Sequence, residues 1–158
     1  MLRPVPRPDP LPVSYAQERL WFLNQLEGRT ATYNMPIPLR LTGPLDYDAM
    51  RAALRDVVAR HESLRTVFGD ADGEPHQIVL DPGDAGVPLS VADAPDDDLR
   101  GVLFTAATRG FDLTREPPVR AHLYRLGRDA EDATSTCCCS SCTTSPGTAG
   151  RWRRSPAT

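Results

Sequence analysis

The chain has 158 residues, of which 40% are hydrophobic and 25% charged, and its formal net charge is -3. These values are ordinary for one folded domain with its own core, and the interspersed, slightly acidic charge excludes the basic footprint of a nucleic-acid-binding protein. No apolar run approaches the roughly 20 residues of a membrane span, and prolines stand where a secretory signal would be apolar. We therefore expect a cytoplasmic protein without nucleic-acid or membrane partners.

The N-terminal part predicts a linker followed by a helix. Every second residue from Pro4 to Pro12 is proline, which favours an extended, polyproline-like linker over residues 1–12. Ser14 and Gln17 have the spacing of a capping box, and apolar residues follow at helical intervals. We expect this helix to cover about residues 15–27.

A strand and a second helix come next. Residues 37–41 alternate between apolar and polar, and Pro36 and Pro38 indicate a strand near the edge of a sheet. Asp46 occupies the N-cap position of a helix whose apolar residues fall on one face as far as Val58.

This helix ends in the charged stretch 60–68, which turns into a strand with no glycine before Gly69. No glycine is present to end the helix and help its last carbonyl groups find hydrogen-bond donors. We therefore expect polar side chains to form the hydrogen bonds that this junction needs. A solvated, charged helix end is the simpler interpretation. The candidate side chains are those of Arg60, His61, Glu62 and Arg65.

The following elements complete an α/β pattern up to Leu126. The strand after the junction is expected to form a hairpin with residues 77–80, and residues 87–91 predict a further short strand. A third helix is predicted to open at Pro95, with three aspartates in its first turn, and a last strand covers residues 119–124.

The composition changes after this pattern, and we expect residues 128–158 to be a disordered tail. All four cysteines lie within residues 137–142, which excludes a distributed disulfide framework. Cys139 and Cys142 form a CxxC pair, but a tetrahedral zinc site usually needs a second, separated pair of ligands, so we expect no metal. A natural disordered extension is another interpretation of the tail.

Two stretches carry a family resemblance. Residues 14–23 (SYAQERLWFL) match the pattern SxAQxRLWxL, and residues 60–68 (RHESLRTVF) match RHExLRTxF. Smaller similarities are TYNMP at 32–36 and FDL at 111–113, which is followed by Pro-Pro. These stretches resemble the first motifs of the condensation domain of nonribosomal peptide synthetases, over about residues 10–127.

The resemblance implies a fold and a chemistry. Residues 13–127 would form a partial N-terminal lobe of a chloramphenicol-acetyltransferase-like two-layer α/β sandwich. A complete domain would form amide bonds between two thioesters carried on the phosphopantetheine of carrier proteins, without a directly bound cofactor. The implied partners are carrier-protein and adenylation domains of a synthetase.

The resemblance implies that the matched positions shape the lobe and the tunnel wall, and that none of them is catalytic. Arg65 is matched to an arginine that forms a salt bridge with the aspartate of the family's HHxxxDG motif. The matched positions are Ser14, Gln17, Arg19, Trp21, Arg60, His61, Glu62, Arg65 and Thr66.

The HHxxxDG motif itself is absent from the region after Leu126 where the family has it. If the last base of each codon is read with the first two of the next, consecutive cysteine codons become leucine codons. Over residues 134–152 the same shift permits the sequence EHVLLLVLHHIAGDGWSM. We therefore expect the reading frame to be lost between about residues 129 and 134, by mutation or by a sequencing error.

We accordingly expect a truncated, inactive condensation domain that folds poorly, because loss of a buried strand would expose a sheet edge. One alternative is a non-catalytic half-lobe that docks a carrier protein or another synthetase component. Another is an acyltransferase of the same superfamily that acts outside peptide synthesis.

Overall fold

The computed structural model describes residues 6–86, 89–95, 97–126 and 134–142. Seven strands and three α-helices lie in these ranges, together with a short 3₁₀ turn at Glu62–Leu64. In chain order they are β1 (Leu11–Pro12), α1 (Tyr15–Glu27), β2 (Asn34–Thr42), α2 (Tyr47–Arg60), β3 (Thr66–Ala71), β4 (Glu74–Val79), β5 (Leu89–Asp93), α3 (Leu99–Thr108), β6 (Val119–Leu126) and β7 (Thr134–Cys142).

The strands form two sheets. The smaller sheet has the order β1-β4-β3 and is antiparallel, and it contains the predicted hairpin β3–β4 with β4 as its central strand. The larger sheet has the order β2-β7-β6-β5, in which only β5 and β6 are parallel. Helix α3 makes the crossover between these two strands, as a parallel pair requires.

Helices α2 and α3 pack on opposite faces of the larger sheet. Successive side chains of a strand point to opposite faces. Ala121 and Leu123 of β6 belong to a cluster that includes residues of α2, whereas Tyr124 and Leu126 pack with residues of α3. The predicted α/β fold is therefore present, with one helix on each face of the larger sheet.

Several predicted boundaries are confirmed. Helix α1 begins after the capping residue Ser14 and ends at Gly28, whose φ of 76° suits glycine. Strand β2 is an edge strand of the larger sheet, as Pro36 and Pro38 indicated. Asp46 caps α2 by accepting hydrogen bonds from two main-chain N–H groups.

Two other predictions were wrong at their boundaries. Helix α3 starts at Leu99 rather than at Pro95, because the N–H of Asp98 donates to the Pro95 carbonyl in a turn before the helix begins. Leu11 and Pro12, at the end of the predicted linker, pair with β4 and so form the short strand β1.

The predicted disordered tail contains strand β7. Its backbone pairs with β2 on one side and β6 on the other over nine residues. Two flanking strands offer hydrogen bonds to an extended backbone whatever its side chains are, which composition alone does not reveal. The rest of that prediction, residues 128–133 and 143–158, lies outside the described residues.

We predict that Gly110→Ala lowers the free energy of unfolding by about 1–3 kcal/mol, because a Cβ there would overlap the carbonyl oxygen of Arg29. Chemical denaturation of both proteins measures the difference. Gly83→Ala is the matched control, since open space surrounds Gly83. Equal stability of the two variants would contradict the close approach.

Candidate functional site

The junction between α2 and β3 carries the second family-like stretch, and main-chain hydrogen bonds organise it. The N–H of His61 donates to the Val57 carbonyl at 3.0 Å, and the N–H of Arg65 donates to the Glu62 carbonyl at 2.9 Å. The hydroxyl of Thr66 donates to the same Glu62 carbonyl at 2.8 Å, and Thr66 is only 6% exposed. Thr66 therefore helps to fix the start of β3.

The four side chains predicted to satisfy this junction behave differently. Arg60 and His61 are exposed, and their side chains make no hydrogen bond or ion pair with any described residue. Glu62 pairs with arginines and not with the main chain. Only Arg65 donates to a main-chain carbonyl, that of Leu80. The prediction was thus wrong for Arg60, His61 and Glu62, and Arg65 bonds a carbonyl beyond β4 instead of one at the junction, because the backbone closes the helix without these side chains.

Arg65 is the most constrained residue of the junction. Its side chain is 12% exposed, donates from Nη1 to the carbonyl of Leu80, and lies 3.5 Å from Glu62. The main chain reinforces this contact, since the N–H of Leu80 donates to the Arg65 carbonyl at 2.9 Å. Its Nε is buried and has no hydrogen-bond partner among the described residues. Arg65 therefore keeps one donor for a further acceptor.

Glu62 connects the junction to the N-terminal segment. Its Oε2 accepts a hydrogen bond from Arg7 at 2.6 Å. The hydrogen bond from Arg7, assisted by the nearby charge of Arg65, holds the pKa of Glu62 below its ordinary value. Because both partners of this ion pair are substantially exposed, the pair positions the segment more than it stabilises the fold.

The first family-like stretch begins with a reciprocal cap. The N–H of Gln17 donates to the Ser14 hydroxyl, and the N–H of Ser14 donates to Oε1 of Gln17 at 2.8 Å. Gln17 also donates to Gln77 of β4 at 3.1 Å, so it fixes α1 against the smaller sheet. Arg19 is exposed, and its side chain forms no hydrogen bond or ion pair with the described residues.

Trp21 brings the two stretches together. It is 9% exposed and packs in one cluster with Phe68, Phe111 and Leu113, against which Val13 also lies. Trp21 comes from the first stretch and Phe68 from the second, so the two family-like motifs meet in a single aromatic core. Their role here is to hold elements in place.

Arg120 is a central residue that the sequence did not single out. Its side chain is 7% exposed and donates to both carboxylate oxygens of Glu116, at 3.1 and 2.6 Å. It also donates to the carbonyls of Arg109 and Gly110, each at 2.8 Å, and its guanidinium lies 3.9 Å from the centre of the Phe111 ring. The only signal in the sequence was the spacing of the two residues, since Glu116 stands four residues before Arg120 and Arg120 lies on a predicted strand.

The loop that Arg120 holds contains a second ion pair. Asp112 accepts hydrogen bonds from Thr114 and lies 2.5 Å from Arg29, and the hydrogen bond from Thr114 is the main reason why its pKa is lowered. Burial raises the pKa of Glu116, but hydrogen bonds from Arg120 and from the N–H of Asp112 outweigh it and lower the pKa overall. The short FDL similarity therefore marks a structural loop.

The matched residues form a scaffold and not a reaction centre. They cap helices, fill the aromatic core or join segments by ion pairs. No group of three or more histidine, cysteine or acidic side chains that could hold a metal occurs in residues 6–86, 89–95 or 97–126. In that same part of the chain, no helix is both long and apolar enough to cross a bilayer.

Comparisons with known proteins agree with this scaffold. A family model described as the condensation domain matches residues 8–133. The chain is 59% identical over 126 residues to the probable non-canonical nonribosomal peptide synthetase CymA of Salinispora arenicola, covering 80% of this chain and 2% of that protein. It is 46% identical over 123 residues to a dimodular nonribosomal peptide synthase of Bacillus subtilis, covering 78% of this chain and 5% of that protein.

Solved structures share the fold. The X-domain from teicoplanin biosynthesis is 36% identical, with a TM-score of 0.72 over 85% of this chain and 28% of that one. The starter condensation domain of rhizomide synthetase RzmA is 21% identical, with a TM-score of 0.71 over 84% of this chain and 33% of that one, a likeness of fold alone. The chain thus spans about a third or less of these solved chains, and a far smaller share of its curated relatives.

We predict that Glu116→Gln lowers the free energy of unfolding by about 2 kcal/mol at neutral pH, because it removes the charge partner of the buried Arg120. The folded-state pKa of Glu116 lies below its ordinary value of 4.5, so the ion pair contributes fully above that pH. Its contribution declines as the pH falls through the lowered pKa. Denaturant titrations at several pH values measure the effect.

The matched control for this prediction is Glu74→Gln, which changes an exposed glutamate of β4 that forms no ion pair with the described residues. The difference between the parent and Glu116→Gln should shrink on acidification, while the control stays near the parent. A Glu116→Gln variant as stable as the control at every pH would overturn this account.

Proposed function

The chain belongs to the condensation-domain family of nonribosomal peptide synthetases, and from this premise we propose that its parent domain forms amide bonds between two carrier-protein-bound thioesters. In such a reaction the acceptor amine attacks the donor carbonyl. A side chain must take or position the amine proton, and the tetrahedral oxyanion must be stabilised. The second histidine of the HHxxxDG motif is the family residue for the first task.

We further propose that this chain, as encoded, does not catalyse that step, because its reading frame is shifted before the motif. The observation that carries this proposal is the position of β7. The strand lies between β2 and β6, in a sheet with α2 on one face and α3 on the other. A strand in such a place is usually apolar. The sequence of β7 is TSTCCCSSC, whereas the shifted frame requires leucine between the consecutive cysteines and permits leucine and valine in most of the same segment.

The boundaries of β7 give further support. The match to the family model stops at residue 133, and β7 begins at Thr134. The strand ends at Cys142, and the shifted reading places the first histidine of HHxxxDG at the junction of Cys142 and Thr143. The strand therefore fills the interval between the end of the family match and the start of the shifted motif.

Arg65 fits the same proposal. Its buried Nε has no acceptor among the described residues, and we assign to it the aspartate of the missing motif as the natural partner. The two Nη atoms of the guanidinium contact the Leu80 carbonyl and Glu62, which leaves Nε available for that aspartate. Arg65 would then be a positioning residue of the parent domain.

The remaining assignments rest on family membership. Carrier-protein and adenylation domains are the proposed partners, the substrates would be carried on phosphopantetheine, no cofactor would bind directly, and a cytoplasmic location stays a prediction. The alternative of a non-catalytic half-lobe that docks a carrier protein has no observation that favours it over the parent activity. A selective pull-down of an acyl carrier protein by the 158-residue chain would support it.

We predict that the chain in its present frame yields no condensation product, while a gene with the frame restored between codons 129 and 134 does. Both are assayed within the same synthetase, with donor and acceptor aminoacyl carrier proteins, and the dipeptidyl thioester is detected by mass spectrometry. Replacing the second histidine of the restored motif by alanine is the control, which should reduce the rate by about 100-fold or more. Product formation by the unshifted chain at the restored rate would refute the proposal.

A further inference from the structure

A cleft of about 380 Å³ opens between the start of β5 and the segment that precedes β6. Its wall includes Ser90, His122 and three arginines, two of which lie outside the ion pair already described. None of these residues belongs to the two family-like motifs. The cleft therefore calls for a separate explanation.

Ser90 and His122 form a hydrogen-bonded pair in this wall. They are direct neighbours in the parallel register of β5 and β6, and Oγ of Ser90 lies 2.6 Å from Nδ1 of His122. Ser90 is exposed, whereas the other ring nitrogen of His122, Nε2, is buried without a partner among the described residues. Burial, together with the charges of Arg120 and Arg109, lowers the pKa of His122, so the ring is neutral near pH 7.

The buried Nε2 decides which atom carries the proton of the neutral ring. A buried N–H without an acceptor is rarer in proteins than a buried acceptor without a donor. The proton therefore belongs on Nδ1, which donates to Ser90 Oγ. This arrangement removes the base that a nucleophilic serine would need, and it leaves the hydrogen of the Ser90 hydroxyl free to point into the cleft as a donor.

The charges of the cleft favour an anion. Arg120 is neutralised by Glu116, but Arg109 and Arg115 form no ion pair and no side-chain hydrogen bond with the described residues. The remaining carboxylate in the wall is that of Asp84, which is exposed. Ser90, Arg109 and Arg115 thus line one cleft, and their hydroxyl and two guanidinium groups are donors available to an anion there.

We propose that this cleft binds a phosphoryl group, with Ser90, Arg109 and Arg115 as donors and with His122 as the positioning residue that keeps the Ser90 hydroxyl a donor. Three donors contributed by β5, by the end of α3 and by the loop before β6 suit the several oxygens of a phosphate better than the two oxygens of a carboxylate. The inference goes beyond the proposed condensation activity and does not depend on it, because every residue involved precedes the segment where we place the frame loss.

Phosphate titration of the full 158-residue chain, at constant ionic strength, tests this site. The chain has three histidines, so the ring resonances of His122 can be followed by NMR. Bound phosphate should raise the pKa of His122, because it offsets the neighbouring arginines. Inorganic phosphate and glycerol phosphate are titrated separately, which distinguishes binding of the free ion from binding of a phosphoryl group on a larger ligand. Binding of either compound supports the site.

Variants make the result specific. Ser90→Ala and Arg109→Gln should each weaken phosphate binding by about tenfold, and Arg100→Gln, which removes an exposed arginine of α3 outside the cleft, should not. His122→Asn, which keeps a donor near Ser90, should retain more affinity than His122→Phe. Equal losses for Arg109→Gln and Arg100→Gln, equal binding of acetate, or no response of His122 to phosphate would each overturn the proposal.

Discussion

The rest of the structure depends on the interactions that the buried guanidinium of Arg120 makes. A charge at this depth is tolerated only when it is paired and hydrogen-bonded, and Glu116 with the carbonyls of Arg109 and Gly110 provides both. The planar fork of arginine suits this set of acceptors in a way that lysine would not. As a result, strand β6 and the loop before it form one unit.

That loop also connects the larger sheet to the smaller sheet. It presents Phe111 and Leu113 to Trp21 and Phe68, and the carbonyl of Leu113 accepts a hydrogen bond from the N–H of Phe68 at 2.9 Å. Helix α1, strand β3 and the larger sheet are therefore joined through one aromatic core. Arg65 extends the same framework on the other side, where it fixes the hairpin β3–β4 through Leu80. The two family-like motifs are thus parts of a scaffold that holds a lobe together.

The sequence predicted those features that local chemistry determines. Helix α1 was placed correctly because Ser14, Gln17 and Gly28 act within one or two turns of the residues that they cap. The start of α3 was misplaced because a turn at Pro95 and a helix begin with similar residues. Four charged or polar side chains, those of Arg60, His61, Glu62 and Arg65, were expected to satisfy the junction, but the main chain and Thr66 do so. Partners distant in sequence, such as the Leu80 carbonyl that Arg65 contacts, cannot be read from periodicity.

The polar composition of strand β7 does not match its position inside the sheet, and the proposed loss of the reading frame rests on this mismatch. A polar, cysteine-rich segment occupies an interior strand position that the flanking strands define. The nucleotide sequence across codons 127–158 and beyond tests the explanation most directly. We predict that the shifted frame encodes an apolar strand followed by HHxxxDG and stays open past codon 158. Stop codons in that frame, or bases that do not spell the motif, would contradict the frame loss and make the tail a genuine part of the protein.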